Sequence, residues 1–175
     1  MASDVRNLRN RWRIAGWTVA VCVLLLPFVA MRFTAEVNWT GLDFVFAAVL
    51  VGGVGLLFEL AVRMSPNRYY RAGVALALAA GFLTIWAMGA VGMIGDEGDP
   101  LNLMFFAVLL IALLGASLAG FRPAGMALAT LVAGIAQFLA GSIGMFFDLL
   151  GGIYSAMFAG VWLASAAMFR RAAVE

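Results

Sequence analysis

Six long stretches of the chain carry no formal charge, and polar residues gather into short clusters between them. The apolar runs are residues 14–31, 44–58, 72–95, 100–121, 123–147 and 149–169, and the second continues past the single acid Glu59 to residue 62. At about 1.5 Å per helical residue, each can cross roughly 30 Å of hydrocarbon. Only helices or closed barrels satisfy their backbone groups inside a bilayer, and none of these runs shows the strict alternation of a barrel strand. The pattern predicts an all-α membrane protein with six transmembrane helices. Arg6, Arg9, Arg11 and Arg13 precede the first run as they would in a secretory signal. The run is nevertheless long for a signal core and no A-x-A pattern follows, so it reads as an uncleaved first helix.

Arginine placement predicts the orientation, because Lys and Arg are retained on the cytoplasmic side of a membrane. With the N-terminus inside, the inner face holds Arg6, Arg9, Arg11, Arg13, Arg63, Arg68, Arg71, Arg122, Arg170 and Arg171, and only Arg32 falls outside. The outer face collects Glu36, Asp43, Asp96, Glu97, Asp99 and Asp148. The topology expected is N-in/C-in, with both termini cytoplasmic. Trp12, Tyr69 and Tyr70 would mark the inner boundary and Trp39 the outer one.

The apolar runs also resemble one another. Shifting the chain by 52 residues aligns 72–96 with 124–148 and gives nine identities in 25 positions, among them Gly73, Gly89, Gly92, Met93 and Asp96 with their counterparts. The third run carries Gly73, Ala77, Gly81, Ile85 and Gly89, and the fifth carries Gly125, Ala129, Ala133, Gln137 and Gly141. A four-residue step stays near one helix face, and small residues there let another backbone approach closely, so both helices should present a packing seam. The descending helices repeat too, since Leu42 precedes Arg63, Leu101 precedes Arg122 and Leu149 precedes Arg170 by the same 21 residues. Thr40 with Asp43, and Asp99 with Asn102, occupy matching capping positions, and Pro100 falls where a missing N–H costs nothing. The chain reads as three parallel helical-hairpin repeats, approximately 13–63, 71–122 and 123–171, related if at all by an axis along the membrane normal.

Composition narrows the chemistry. Of 175 residues 65% are hydrophobic and 11% charged, so about 120 positions in six spans leave only short loops and tails. This is a single transmembrane domain, 1–175, with no room for a soluble catalytic module. The chain has no His, no Lys and one Cys. That excludes His-ligated haem, lysine Schiff bases, phosphate loops ending in Lys, zinc sites with His and intrachain disulfides. No catalytic residue, cofactor or metal site is expected. The basic N-terminus reads as a topogenic segment and not as a nucleic-acid site, because the net charge is only +2 and no second basic face exists.

Few polar residues remain as candidates. Glu59 is the carboxylate inside an apolar run, so it is a proton carrier or cation ligand by default. Arg63, four residues on, offers the competing reading of an ion pair on one face. Gln137, in the middle of the fifth span, suits an interhelical hydrogen bond better than a substrate contact. Asp43, Asp96, Glu97, Asp99 and Asp148 form an acidic outer rim that would attract cations, although capping and solvation account for it and the spacing is not that of a calcium loop. Asp96 and Asp99 also fail the G-x-G-D pattern of intramembrane aspartyl proteases. Gly52, Gly53 and Gly55 lie inside a helix and argue for packing or a kink. Cys22 reads as an inert thiol, and Trp86 and Trp162 as lipid or helix contacts in preference to cavity walls.

The segments Glu36-Val37-Asn38-Trp39-Thr40, Tyr70-Arg71-Ala72-Gly73 and Pro100-Leu101-Asn102-Leu103-Met104 resemble an uncharacterised family of small bacterial polytopic inner-membrane proteins. The resemblance implies a multi-pass protein of the bacterial inner membrane and transfers no catalytic or binding residue. The function expected is that of a structural, scaffold or accessory subunit packing through small-residue seams. Its partners would be membrane lipids and either itself or another membrane protein. The alternative is a small-solute or ion channel or transporter with a pathway between the repeats.

Overall fold

The computed structural model describes residues 2–35 and 37–175, with side chains from Arg13 onward. The expectations for Arg6, Arg9, Arg11, Trp12 and Glu36 concern side chains outside the described residues. The helices are α1 (Ala2–Ala30), α2 (Gly41–Met64), α3 (Arg68–Ala90), α4 (Leu103–Leu118), α5 (Pro123–Gly144), α6 (Leu149–Met157) and α7 (Ala159–Val174), with a 3-10 turn at Pro100–Asn102 ahead of α4. Among the described residues there is no strand. Six segments are long and apolar enough to cross a bilayer: Arg13–Ala30, Gly41–Met64, Arg68–Ala90, Pro100–Leu118, Pro123–Gly144 and Leu149–Val174. The chain has the architecture of an all-α multi-pass membrane protein.

The chain divides into two units, Met1–Glu59 and Leu60–Glu175. In the first, α2 opens with a capping box. The Asp43 carboxylate accepts the Thr40 N–H at 2.6 Å and the Thr40 hydroxyl at 2.8 Å, while Thr40 Oγ1 accepts the Asp43 N–H at 3.4 Å. Phe44 then meets Trp39 and Phe28 edge-on, with ring centroids 5.2 and 6.4 Å away, and the Arg32 guanidinium lies 5.5 Å over the Phe28 ring. Of the glycine stretch in α2, only Gly55 packs closely. A Cβ there would sit 3.1 Å from the Trp17 indole, whereas Gly52 and Gly53 face open space.

The second unit is a four-column bundle whose core forms three layers. At one end Ala61, Tyr70, Met126, Ala127, Phe169 and Ala172 cluster; in the middle Ala80, Val108, Ala133 and Trp162; at the other end Met88, Met93, Ile94, Phe105 and Ala140. This order makes α3 and α5 run together and α4 and α6–α7 run back. Helix α5 packs against α4, α6 and α7, and α3 packs on α7. Because α5 has neighbours on most sides, its stripe is buried at Ala129, Ala133, Gln137 and Gly141, while Gly125 at its start is half-buried. A Cβ on Gly115 of α4 would collide with Ala129, and one on Gly141 would collide with the backbone of Ala156 in α6.

The four-residue stripe on α3 behaves differently from expectation. Its buried line is Tyr70, Gly73, Ala80, Thr84 and Met88, while Gly89 is exposed and meets nothing. A step of four advances about 40° beyond a full turn in a helix of 3.6 residues per turn. With α7 as its close partner, α3 loses the stripe from its seam within a few turns. Gly73 keeps its place against the Phe169 ring, and Ser165 donates to the Gly73 carbonyl at 2.8 Å. The matched ends of α3 and α5 also part, because Gly92 takes a left-handed φ of 80° while its counterpart Gly144 stays helical.

The sixth span, expected as one helix, breaks at Phe158 into α6 and α7. Gln137 Nε2 donates to the Ser155 carbonyl at 3.0 Å beside the break, and Phe158 N–H and Val161 N–H carry the backbone ladder across it through Tyr154 O and Phe158 O. A side chain entering the ladder is an ordinary cause of such an interruption.

Candidate functional site

Glu59 closes the first unit. Its carboxylate is bound by the Arg13 guanidinium of α1, and Trp17 Nε1 approaches its other oxygen at 3.4 Å. Spacing within α2 suggested Arg63 as a partner, and α1 supplies two further donors from residues one turn apart. Arg13 is about half exposed and Glu59 largely covered, at 47% and 17%. Arg63 lies exposed in the last turn of α2. A groove of about 450 Å³ runs along the same face of α1, lined by Arg13, Ile14, Trp17, Thr18, Val21 and Cys22. Cys22 is exposed there, with no charged residue of the groove nearer along the helix than Arg13.

Of the acids expected on the outer rim, Asp43, Asp96, Asp99 and Asp148 accept backbone N–H groups. Asp43 caps α2 as described. Asp96 accepts the Gly98 N–H at 3.0 Å and Asp99 accepts the Leu101 N–H at 2.8 Å, with Pro100 at the first position of the 3-10 turn. Asp148 joins two elements: it accepts the Gly151 N–H at 3.0 Å as the cap of α6 and the Gly95 N–H at 3.1 Å from the α3–α4 loop. Those two N–H groups, Gly151 first, hold its carboxyl below the usual carboxylate value. Glu97 is exposed. Among the described residues no three ligating side chains converge as a metal site would require.

Asn102 departs from the capping role suggested by its match to Asp43. It is 5% exposed, and it spends its whole amide on the loop. Oδ1 accepts the Met93 and Ile94 N–H groups at 2.8 and 3.0 Å, and Nδ2 donates to the Asp96 and Ile94 carbonyls at 2.7 and 3.3 Å. Ser155 Oγ adds a 3.0 Å bond to the Met93 carbonyl. Glycines with φ of 80° and 60°, Gly92 and Gly95, turn the chain inward so that Ile94 is buried in the upper core layer. The loop between α3 and α4 is thus built into the bundle.

Further polar groups are buried within the helices. Gln137 is fully buried, bonded through Nε2 to Ser155 O, with Oε1 unpartnered. Thr84 Oγ1 and Trp162 Nε1 are also buried without partners. Trp162, expected at lipid or a helix, is in the middle core layer, while Trp86 stacks on Phe82 with centroids 5.7 Å apart. Sequence reasoning found Gln137, gave Asn102 and Arg13 other roles, and missed Thr84, Ser155 and Ser165. Small hydroxyls and one amide in apolar runs carry no periodic signal, and Arg13 was absorbed into the basic cluster.

Compared with known proteins, the chain matches no protein family, no curated relative and no solved structure.

Proposed function

We propose that the protein is a non-catalytic structural, scaffold or accessory subunit of the bacterial inner membrane, with both termini cytoplasmic. The observation that carries this reading is that the buried polar residues among the described ones, Thr84, Asn102, Thr130, Gln137, Ser155 and Ser165, are all uncharged. Ionisable groups inside a bundle commonly mark the route of an ion or proton. Here the core of residues 60–175 is instead filled by apolar layers and closed by glycine and alanine contacts. The arginines and the outer acids segregate to opposite ends of that bundle, which supports the N-in/C-in orientation. The likeness to small bacterial inner-membrane proteins supports the placement.

The nine identities between 72–96 and 124–148 are the support for reading the later two hairpins as a parallel duplication. The competing reading, a channel or transporter, draws on the ionisable pair Arg13–Glu59. Purification from native membranes in mild detergent, followed by reconstitution, separates the two. A stoichiometric partner or a defined self-assembly, with liposome flux no greater than that of empty vesicles, is expected. Ion-selective or solute-selective flux from the isolated protein would overturn the scaffold reading.

A further inference from the structure

Tyr69 gathers two arginines from different helices. The Arg68 guanidinium, at the start of α3, lies over the Tyr69 ring with Cζ 4.8 Å from the centroid, and its Nη2 donates to the Tyr69 hydroxyl at 3.1 Å. The Arg171 guanidinium, from the last turn of α7, reaches the same ring with Cζ 5.8 Å from the centroid. Tyr69 is half-buried and packs against the core cluster that holds Tyr70, Phe169 and Ala172, so the ring is a fixed platform. Both arginines are exposed. The neighbouring Arg71 is spent differently, donating to the Ser65 and Val62 carbonyls at 2.8 and 2.9 Å and so closing the end of α2. Arg68 and Arg171 form no ion pair among the described residues. Glu175, whose carboxylate accepts from the Asn67 amide at 3.4 Å, pairs with neither.

We propose that Arg68, Tyr69 and Arg171 form a headgroup site for an anionic phospholipid, with the lipid phosphate held by the two guanidinium groups. Two cations drawn to one ring repel each other, and the ring's quadrupole offsets that only in part. An anion that accepts from both removes the repulsion and forms charge-assisted hydrogen bonds, and the planar guanidinium fork matches phosphate oxygens. Depth selects a lipid over a soluble phosphate. Arg68 is the first residue of the spanning segment Arg68–Ala90, and Arg171 lies in the last turn of Leu149–Val174. Both guanidinium groups therefore stand where hydrocarbon gives way to headgroups, with a tyrosine at the level that interfacial aromatics occupy. Basic pockets between transmembrane helices bind lipid headgroups on this principle. A zwitterionic lipid fits less well, because its ammonium would face two like charges.

The experiment is native mass spectrometry of the full-length protein in mild detergent, titrated with phosphatidylglycerol and, separately, with phosphatidylcholine of the same chains. Preferential binding of phosphatidylglycerol is expected. Equal binding of the two lipids by the unsubstituted protein overturns the site, whatever the variants do. Arg68→Gln/Arg171→Gln should lose about tenfold in phosphatidylglycerol affinity, the worth of one charge-assisted hydrogen bond. Arg122→Gln/Arg170→Gln removes the same charge from two other exposed arginines and should leave the affinity unchanged. Equal losses in the two pairs overturn the proposal, because binding would then follow the net charge of that end of the bundle. Tyr69→Leu keeps every charge and frees the two guanidinium groups, so it should weaken binding severalfold; full affinity in this variant overturns the platform. Inorganic phosphate identifies the source of the anion. It should fail to displace the lipid, and displacement at a comparable concentration would make the site one for a soluble anion and overturn the lipid assignment.

Discussion

Tyr70 Oη donates a 3.0 Å hydrogen bond to the carbonyl of Phe121, and Phe121 is the one non-glycine among the described residues with a left-handed backbone, at φ 58°. The bond ties the start of α3 to the turn between α4 and α5, where Gly120 is also left-handed at φ 54°. Such a conformation costs an L-residue with a side chain on the order of 1 kcal/mol, so the turn persists because its surroundings hold it. Tyr70→Phe should lower stability by about 1 kcal/mol, the net worth of one hydrogen bond. Phe121→Gly should be neutral or stabilising. Gly120→Ala, where nothing lies near the new Cβ, should be destabilising through backbone conformation alone. Thermal unfolding of the three variants in one detergent checks the ordering.

Close backbone approach is tested by two glycines that look alike in sequence. Gly53 and Gly141 both interrupt apolar helices, but Gly53 faces open space while a Cβ on Gly141 would strike the Ala156 backbone. Gly141→Ala should cost about 1–3 kcal/mol as an overpacking change. Gly53→Ala should leave stability unchanged or raise it by up to about 1 kcal/mol through helix propensity. Equal melting temperatures for the two variants would show that α5 and α6 do not depend on that contact.

The six spans were legible because a bilayer imposes length and apolarity on every crossing, and nothing in the interior contradicts that pattern. Thr40–Asp43 was legible for the same local reason, a cap needing only residues three apart. The partners of the polar side chains were not. Arg13 reaches Glu59 across 46 positions of sequence, and Asn102 folds back on the loop before it. Both contacts depend on which helices are neighbours, which periodicity does not encode. The α3 stripe misled because a four-residue repeat names a face without naming what lies against it. The Gln137 bond to the Ser155 carbonyl beside Phe158 is likewise a contact between two helices far apart in sequence.

Asp148 carries a pH prediction. Its folded carboxyl is held below the ordinary carboxylate value by the Gly151 and Gly95 N–H groups. A depressed carboxylate contributes stability that is fully present above its unfolded pKa, near 4, and is lost as pH falls through the lower folded value. Acidification from pH 5 to pH 3 should therefore lower the melting temperature, and part of that fall should disappear in Asp148→Asn, which keeps one acceptor but loses the charge. Parallel melting curves across this range for both proteins would remove Asp148 from the account. Proteolytic susceptibility of the loop around Gly95 should rise with acid in the unsubstituted protein.

Orientation is open to direct labelling. In a Cys22→Ala background, Glu97→Cys should react with an impermeant maleimide from the periplasm. Pro66→Cys should react only after the inner membrane is opened. Pro66 is preferable to its neighbour Asn67, whose side chain caps α3 through the Tyr69 and Tyr70 N–H groups. The reverse labelling pattern would invert the topology, and with it the assignment of the acids to the outer side.

The last prediction concerns Arg13 and Glu59, where the scaffold and pathway readings part. Glu59 is mostly covered, and it is held by Arg13 and approached by Trp17, which itself lies on Gly55. If the pair fastens α1 to α2, its worth is a coupling energy. Arg13→Gln and Glu59→Gln should each lower stability, and the double variant should lose less than their sum by about 0.5–1 kcal/mol. Raised salt should shrink that difference, because the guanidinium is half exposed and open to screening. A proton or cation carrier predicts another pattern: Glu59→Gln would leave the melting temperature unchanged and abolish flux in liposomes, while Arg13→Gln would shift the pH at which flux occurs. A double-mutant cycle in nanodiscs beside a flux assay on the same four proteins distinguishes them. A coupling near zero with flux lost in Glu59→Gln would reassign Glu59 from a structural contact to a working group.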